Sequence, residues 1–220
     1  MVRRSKKEEA PTRRPPDLRD VEELEHVADG ALLGGRPLED LLAESLDLGG
    51  QKISVLALSA SLLQNVSFAN CEIGSMRLRD VRLVNCDFSN ATLRGFEATR
   101  VEFVDCRLMG MRAMECRWSS VLVENCDVRY AQFNDGQMRI CECRGTTLGE
   151  CDFRGADLDG TIFTHVMLHR ADLTGAKLRG VDLRGADIEG ITVRAEDVRG
   201  AVVTAAQAIE LARLLGIVIK

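Results

Sequence analysis

From Gln51 to Ala205 the chain carries an apolar residue at every fifth position. The series opens Ile53, Leu58, Leu63, Phe68, passes through Phe103, Trp118, Val128 and Cys143, and closes Ile188, Val193, Val198, Val203; it has 31 members and no insertion or deletion. A short fixed period is the first constraint on the fold. Each unit is one structural element that buries its apolar side by stacking on its neighbours.

A second register lies two residues before the first. It holds small or apolar side chains, among them Cys71, Cys86, Ala91, Val101, Cys106, Cys116, Cys126, Ala156 and Ala171. Each unit therefore turns one small and one large side chain inward. The later units read Ala-Asp-Leu-x-Gly, as at Ala156–Gly160 and Ala171–Gly175. This pattern resembles the pentapeptide-repeat family, over about 70% of the chain. The resemblance implies an all-β fold: a right-handed quadrilateral parallel β-helix of about eight coils with short helical N- and C-terminal caps. In that family four units make one square coil, so residues about 20 apart stack, with rungs about 4.8 Å apart along a rod roughly 37 Å long.

Side-chain volumes agree with stacking at that separation. Trp118 is large for an interior slot, but Ala113, Val123 and Val128 on its own coil are small, and Ala98 would lie one coil below. Phe96 fills a small slot while its own unit has Ala98 in the large one; Met111 and Ala113 repeat the exchange. A close-packed interior needs such compensation.

At 220 residues the chain suits one elongated domain with terminal extras. No apolar run approaches the ~20 residues that span a membrane. Met1–Glu9 has no apolar segment behind it, so no secretory leader and no membrane association are expected, and the expected setting is cytoplasmic. Of the eight cysteines, seven fall in the small register and Cys143 in the large one; Cys86, Cys106 and Cys126 would form one internal ladder. They are expected to be buried free thiols acting as small apolar filler. Cys141 and Cys143 both point inward and no histidine shares their register, whereas a zinc site needs four convergent ligands. No metal is expected.

The ends depart from the repeat. Residues 1–16 read as a disordered basic tail, since residues 1–14 hold six Lys/Arg against two acids. Residues 17–30 read as an N-terminal cap helix, with Asp17 at its start, apolar Leu18, Val21, Leu24 and Val27, and Gly30 at its end. The repeat occupies 31–203 and is degenerate over 31–50. Glu196 in an inward slot marks where the core closes. Residues 204–220 read as a helix and tail, capped by Thr204 and terminated by Gly216. Ile209, Ala212 and Leu215 are expected to cover the coil end. That leaves Leu211, Leu214, Ile217 and Ile219 as surplus apolar residues, the expected contact of a homodimer. The resemblance implies the same, because other family members dimerise through the C-terminal end.

The pattern offers no catalytic constellation and no cofactor site. His165 and His169 lie on a coil rather than on one face of a helix, and glycines such as Gly155, Gly160, Gly175, Gly180, Gly185 and Gly190 fall at the turn position, where positive φ is cheap. Function is then expected on the outward walls. The resemblance implies one specific reading: family members that protect cells from quinolones resemble DNA in size, shape and charge, and bind DNA gyrase. That reading asks for acidic columns. Residues 51–220 carry 21 Lys/Arg and 22 Asp/Glu, and the outward column Ser67, Asp87, Arg107, Asp127, Thr147 alternates in sign. Asp152, Asp157, Asp172, Asp182, Asp187 and Asp197 are the acids best suited to mimicry, but they are spread over all walls. Apolar residues in outward slots, Val84, Val104, Met109 and Met114, form a candidate partner surface. The leading expectation is a non-catalytic protein-binding scaffold with an unidentified protein partner. A DNA mimic that modulates gyrase is the alternative, and direct nucleic-acid binding is not expected.

Overall fold

A computed structural model of the chain describes residues 12–219. Strands pair in parallel at a separation of 20 residues: Leu78 with Leu58 and Ala98, Leu83 with Leu63 and Phe103, Val123 with Phe103 and Cys143. The chain is a parallel β-solenoid of about eight turns, with four five-residue units to each turn. Twelve strands form one sheet and three a second. Isolated bridges such as Asp87↔Arg107 and Asp152↔Asp172 carry the stacking where pairing is too short for a strand.

Two local devices shape the unit. The first is backbone geometry at positions that are multiples of five, where every positive-φ residue other than glycine is found. Asn65, Asn85 and Asn125 take φ of 55°, 52° and 54°, a conformation that asparagine tolerates. Ile140 takes φ 54° without that tolerance. Gly185 departs from the expected role: it lies inside the strand Asp182–Asp187, outside the positive-φ set, and a Cβ there would meet the Phe163 carbonyl oxygen at 2.6 Å. It is needed for close approach of two backbones.

The second device is the aspartate that stands between the small and the large inward residue of a unit. Its carboxylate accepts from the backbone N–H two residues later, as in Asp87–Ser89 (2.8 Å), Asp152–Arg154 (3.0 Å), Asp172–Thr174 (3.0 Å) and Asp182–Arg184 (3.0 Å). These acids serve the turn.

Both registers point inward, and the core runs the length of the solenoid. Phe68 stacks on Phe88 with ring centroids 4.7 Å apart, and Phe133 on Phe153 at 5.4 Å. All eight cysteines are buried and free. Several polar groups in the small slot share one solution, donating to the carbonyl 23 residues earlier. Thr146 Oγ1 donates to Val123, Thr161 Oγ1 to Met138, and the Cys71, Cys106 and Cys151 thiols to Leu48, Leu83 and Val128. A hydroxyl can therefore sit in the core without an orphaned hydrogen bond.

The N-terminal cap differs from the single helix expected over 17–30. A short 3-10 turn, Val21–Glu23, leads into a strand, Glu25–Val27, and then a five-residue helix α1, Asp29–Leu33. The strand pairs with Leu41–Glu44 at a separation of 16 (Glu25↔Leu41), so it is a shortened first coil. Paired backbone can satisfy an open sheet edge, which a helix laid across it cannot. At the other end helix α2 spans Ala205–Leu214. Thr204 accepts from the Gln207 N–H at 3.2 Å while Gln207 Oε1 accepts from the Thr204 N–H at 2.9 Å, a capping box.

Candidate interaction surfaces

The outward charges are largely engaged with one another. Glu97 sits between Arg77 (3.7 Å) and Arg117 (3.2 Å), and Glu124 pairs with Arg144 at 3.6 Å. A second kind of pair lies within one unit, Asp-x-Arg: Asp127–Arg129 at 2.7 Å, Asp152–Arg154 and Asp182–Arg184 at 2.6 Å. In each, hydrogen bonding from the guanidinium holds the carboxyl below its ordinary range. All six acids singled out for mimicry have a basic partner. Besides Asp152 and Asp182, Asp157 pairs with Arg139 and Lys177, Asp172 with Arg154, Asp187 with His169 and Asp197 with Arg194.

The candidate apolar patch is smaller than expected. Val84 and Val104 are register neighbours. Val84, however, packs on a small outer cluster of Leu24, Leu42 and Leu62 and is half-buried. This corrects its reading as free surface: the N-terminal segment claims that part of the wall. Val104 and Met109 are half-buried, and Met114 is 47% exposed.

The same wall carries a feature for which the repeat gave no sign. Residues 12–16 are not a free tail; residues 1–11 lie outside the described region. Arg13 lies across the wall, donating to Glu102 at 3.1 Å and reaching Glu142 at 3.6 Å. The Asp17 N–H donates to Asp80 at 3.1 Å, where Arg100 also makes a two-pronged ion pair. Arg19 pairs with Asp40 at 3.0 Å. The contact between positions 13 and 102 has no periodic signature, and the basic character of Arg13 and Arg14 was its one trace in the sequence.

At the C-terminal end the helix is rotated from the expected orientation. Gln207 and Leu211, four apart, face the last coil; Leu211 is 7% exposed and belongs to the main core. Gln207 Nε2 donates to the carbonyls of Leu183 and Ala186, both at 2.7 Å. Those two open carbonyls set the rotation, because leaving them buried and unpaired would cost more than exposing Ile209. Leu211 is thus removed from the expected dimer contact, and Ile209 is exposed rather than covering the coil. Leu214, Ile217 and Ile219 remain exposed, with Val218 beside them.

One titratable cluster joins residues about one coil apart. His169, Asp187 and Glu189 offer ligand-type atoms within 4.8 Å of one another, beside a shallow hollow of about 380 Å³ that includes Arg129, Tyr130 and Glu150. His169 and Asp187 are already joined at 2.7 Å, which raises the imidazole pKa above its ordinary value. One half-buried and two exposed groups fall short of a structural zinc set. Among the described residues no helix is long and apolar enough to cross a membrane.

A family model described as pentapeptide repeat region matches residues 76–153, and one described as pentapeptide repeats (8 copies) matches residues 141–180 and 151–190. No curated protein matches the chain. Among solved structures, a trypsin-treated variant of QnrB1, a plasmid-mediated fluoroquinolone resistance protein, is 24% identical, with 84% of this chain and 91% of that chain covered at a TM-score of 0.39. HetL, a pentapeptide repeat protein involved in heterocyst differentiation regulation from the cyanobacterium Nostoc sp. strain PCC 7120, is 17% identical, with 80% and 95% covered at a TM-score of 0.26. A pentapeptide repeat protein, Rfr23, from the cyanobacterium Cyanothece 51142 is 15% identical, with 76% and 91% covered at 0.14.

Proposed function

This chain belongs to the pentapeptide-repeat family, and from that premise we infer that it is a non-catalytic scaffold that binds a protein partner through its outer faces. The observation that carries this reading is the state of the outward charges: of the six acids considered for mimicry, five are ion-paired to Arg or Lys and Asp187 is hydrogen-bonded to His169. Such a wall is a mosaic of neutral pairs with apolar gaps at Val104, Met109 and Met114, the mixture typical of protein contact surfaces. The compartment we propose is the cytoplasm, where eight free thiols stay reduced. Two copies associate, in this reading, through Leu214, Ile217 and Ile219.

The test is capture of partners from a cell extract with the intact protein and with Val104→Asp/Met109→Asp/Met114→Asp. The reading expects a stoichiometric partner held by the first and lost from the second; equal capture would sink the role given to this surface. A gyrase supercoiling assay run beside it separates the DNA-mimic alternative. Inhibition at micromolar protein that weakens with added salt would favour mimicry, and no effect would leave the scaffold reading alone.

A further inference from the structure

Nine outward residues stack in one column: Leu42, Leu62, Arg82, Glu102, Leu122, Glu142, Ile162, Asp182 and Val202. From Glu102 onward carboxylates alternate with apolar side chains. Arg13 lies across the first such triplet. Its guanidinium engages Glu102 and Glu142, the register neighbours of Leu122 on either side. Leu122 is only 4% exposed although its slot faces out. The Arg13 side chain is itself 15% exposed, so the ion pairs are shielded from water. A planar guanidinium with donors on two edges can bridge two such carboxylates, whereas an ammonium is a single point charge.

From Arg13 the segment runs back along the wall past Asp80 and Asp40 to Leu24, which packs on Leu42 and Leu62. Among the described residues no backbone–backbone hydrogen bond ties residues 12–19 to the wall. The strap is held by side chains, by the Asp17 N–H and by shape, and segments with few such ties open at low cost.

We propose that this wall is a receptor for an extended, arginine-bearing segment of a partner protein, and that residues 12–18 are its occupant in cis, displaced when the partner binds. The proposal rests on the scaffold reading and names its face and partner chemistry. The seat has a leucine floor and two carboxylates, Glu102 also reached by Arg82 at 3.7 Å and Glu142 also held by Arg144 at 2.7 Å; in cis Arg13 occupies it. The spacing recurs as Glu142, Ile162, Asp182, where Ile162 is exposed and the acids are paired with Arg144 and Arg184. A closed strap weakens the apparent affinity for an incoming segment by the fraction of time the seat is open, so a seat open about 1% of the time loses about 100-fold.

The probe is a fluorescein-labelled peptide of residues 8–20, titrated by anisotropy onto the full-length protein. Arg13→Glu, which releases the strap, is expected to bind the peptide at least tenfold more tightly than wild type. Adding Glu102→Gln and Glu142→Gln is expected to reverse that gain, and a peptide with Lys at the position of Arg13 to bind at least tenfold more weakly. Trypsin is expected to cut after Arg13, the bond after Arg14 being protected by Pro15, faster in the otherwise unaltered Glu102→Gln/Glu142→Gln protein than in wild type, a readout that does not depend on Arg13→Glu. Equal peptide binding by wild type and Arg13→Glu, or equal cleavage in the cleavage pair, would overturn the proposal. So would a wild-type dimer that Arg13→Glu dissolves without any peptide binding, which would assign the seat to a second copy. If the peptide fails while partner capture through Val104 and Met114 persists, the scaffold reading stands and this inference falls.

Discussion

Trp118 lies one coil above Ala98 in parallel register, and the methyl beneath it is what admits the indole to the core. The ring meets Phe96 edge-on at 5.5 Å and stacks on Phe103 at 5.8 Å. Ala98→Leu therefore overpacks a filled layer and is expected to cost about 1–3 kcal/mol. Trp118→Ala is expected to cost about 3–5 kcal/mol. Because the two sites share one volume, Ala98→Leu with Trp118→Val should lose less than the sum of its singles. Additive losses in urea denaturation would refute the compensation.

Ile140 holds φ 54° with a β-branched side chain, in a region that costs an L-residue roughly 1–2 kcal/mol and that asparagine visits readily. Ile140→Asn is expected to raise stability by about 1 kcal/mol, offset in part by lost apolar contact. A lower midpoint in chemical denaturation would show that packing outweighs strain at this corner.

Asp197 is 7% exposed and accepts from the Arg194 guanidinium, from the Arg194 N–H at 3.0 Å and from the Gly175 N–H at 2.9 Å. Led by the Arg194 pair, these bonds outweigh burial and lower its pKa to about 2. The folded state favours the carboxylate, so the contribution is complete above the unfolded value near 4 and disappears as pH falls toward 2. Asp197→Asn should cost about 2 kcal/mol at neutral pH and nearly nothing near pH 2. A pH-independent difference would mean that the carboxylate acts through shape alone.

Leu214 and Ile217 are exposed, whereas Leu211 is buried against the last coil. Leu214→Asp with Ile217→Asp is expected to give a monomer of unchanged melting temperature, and Leu211→Asp to unseat helix α2 by burying a charge. Light scattering decides the first; a wild-type protein already monomeric would end the dimer proposal.

Burial pushes the Cys116, Cys141 and Cys151 thiols up to about 12. They should not react with a thiol reagent at pH 8 until the solenoid unfolds, and should then react together with global unfolding. Fast labelling of the native protein would contradict their place in the core.

The unbroken five-residue period, the two inward registers and the exchange of volume between Trp118 and Ala98 all followed from the order of residues, because each unit contacts the units 20 residues before and after it. The buried cysteines were legible for the same reason. What lies outside the period was settled by tertiary structure alone. Pairing to an open edge made Glu25–Val27 a strand. Two unsatisfied carbonyls, on Leu183 and Ala186, turned helix α2 so that Leu211 faces in and Ile209 out. The seat of Arg13 between Glu102 and Glu142 joins residues 89 or more apart in sequence. A repeat states which of its residues will stack, but a segment without the repeat finds its place by the charges and edges the finished solenoid leaves open.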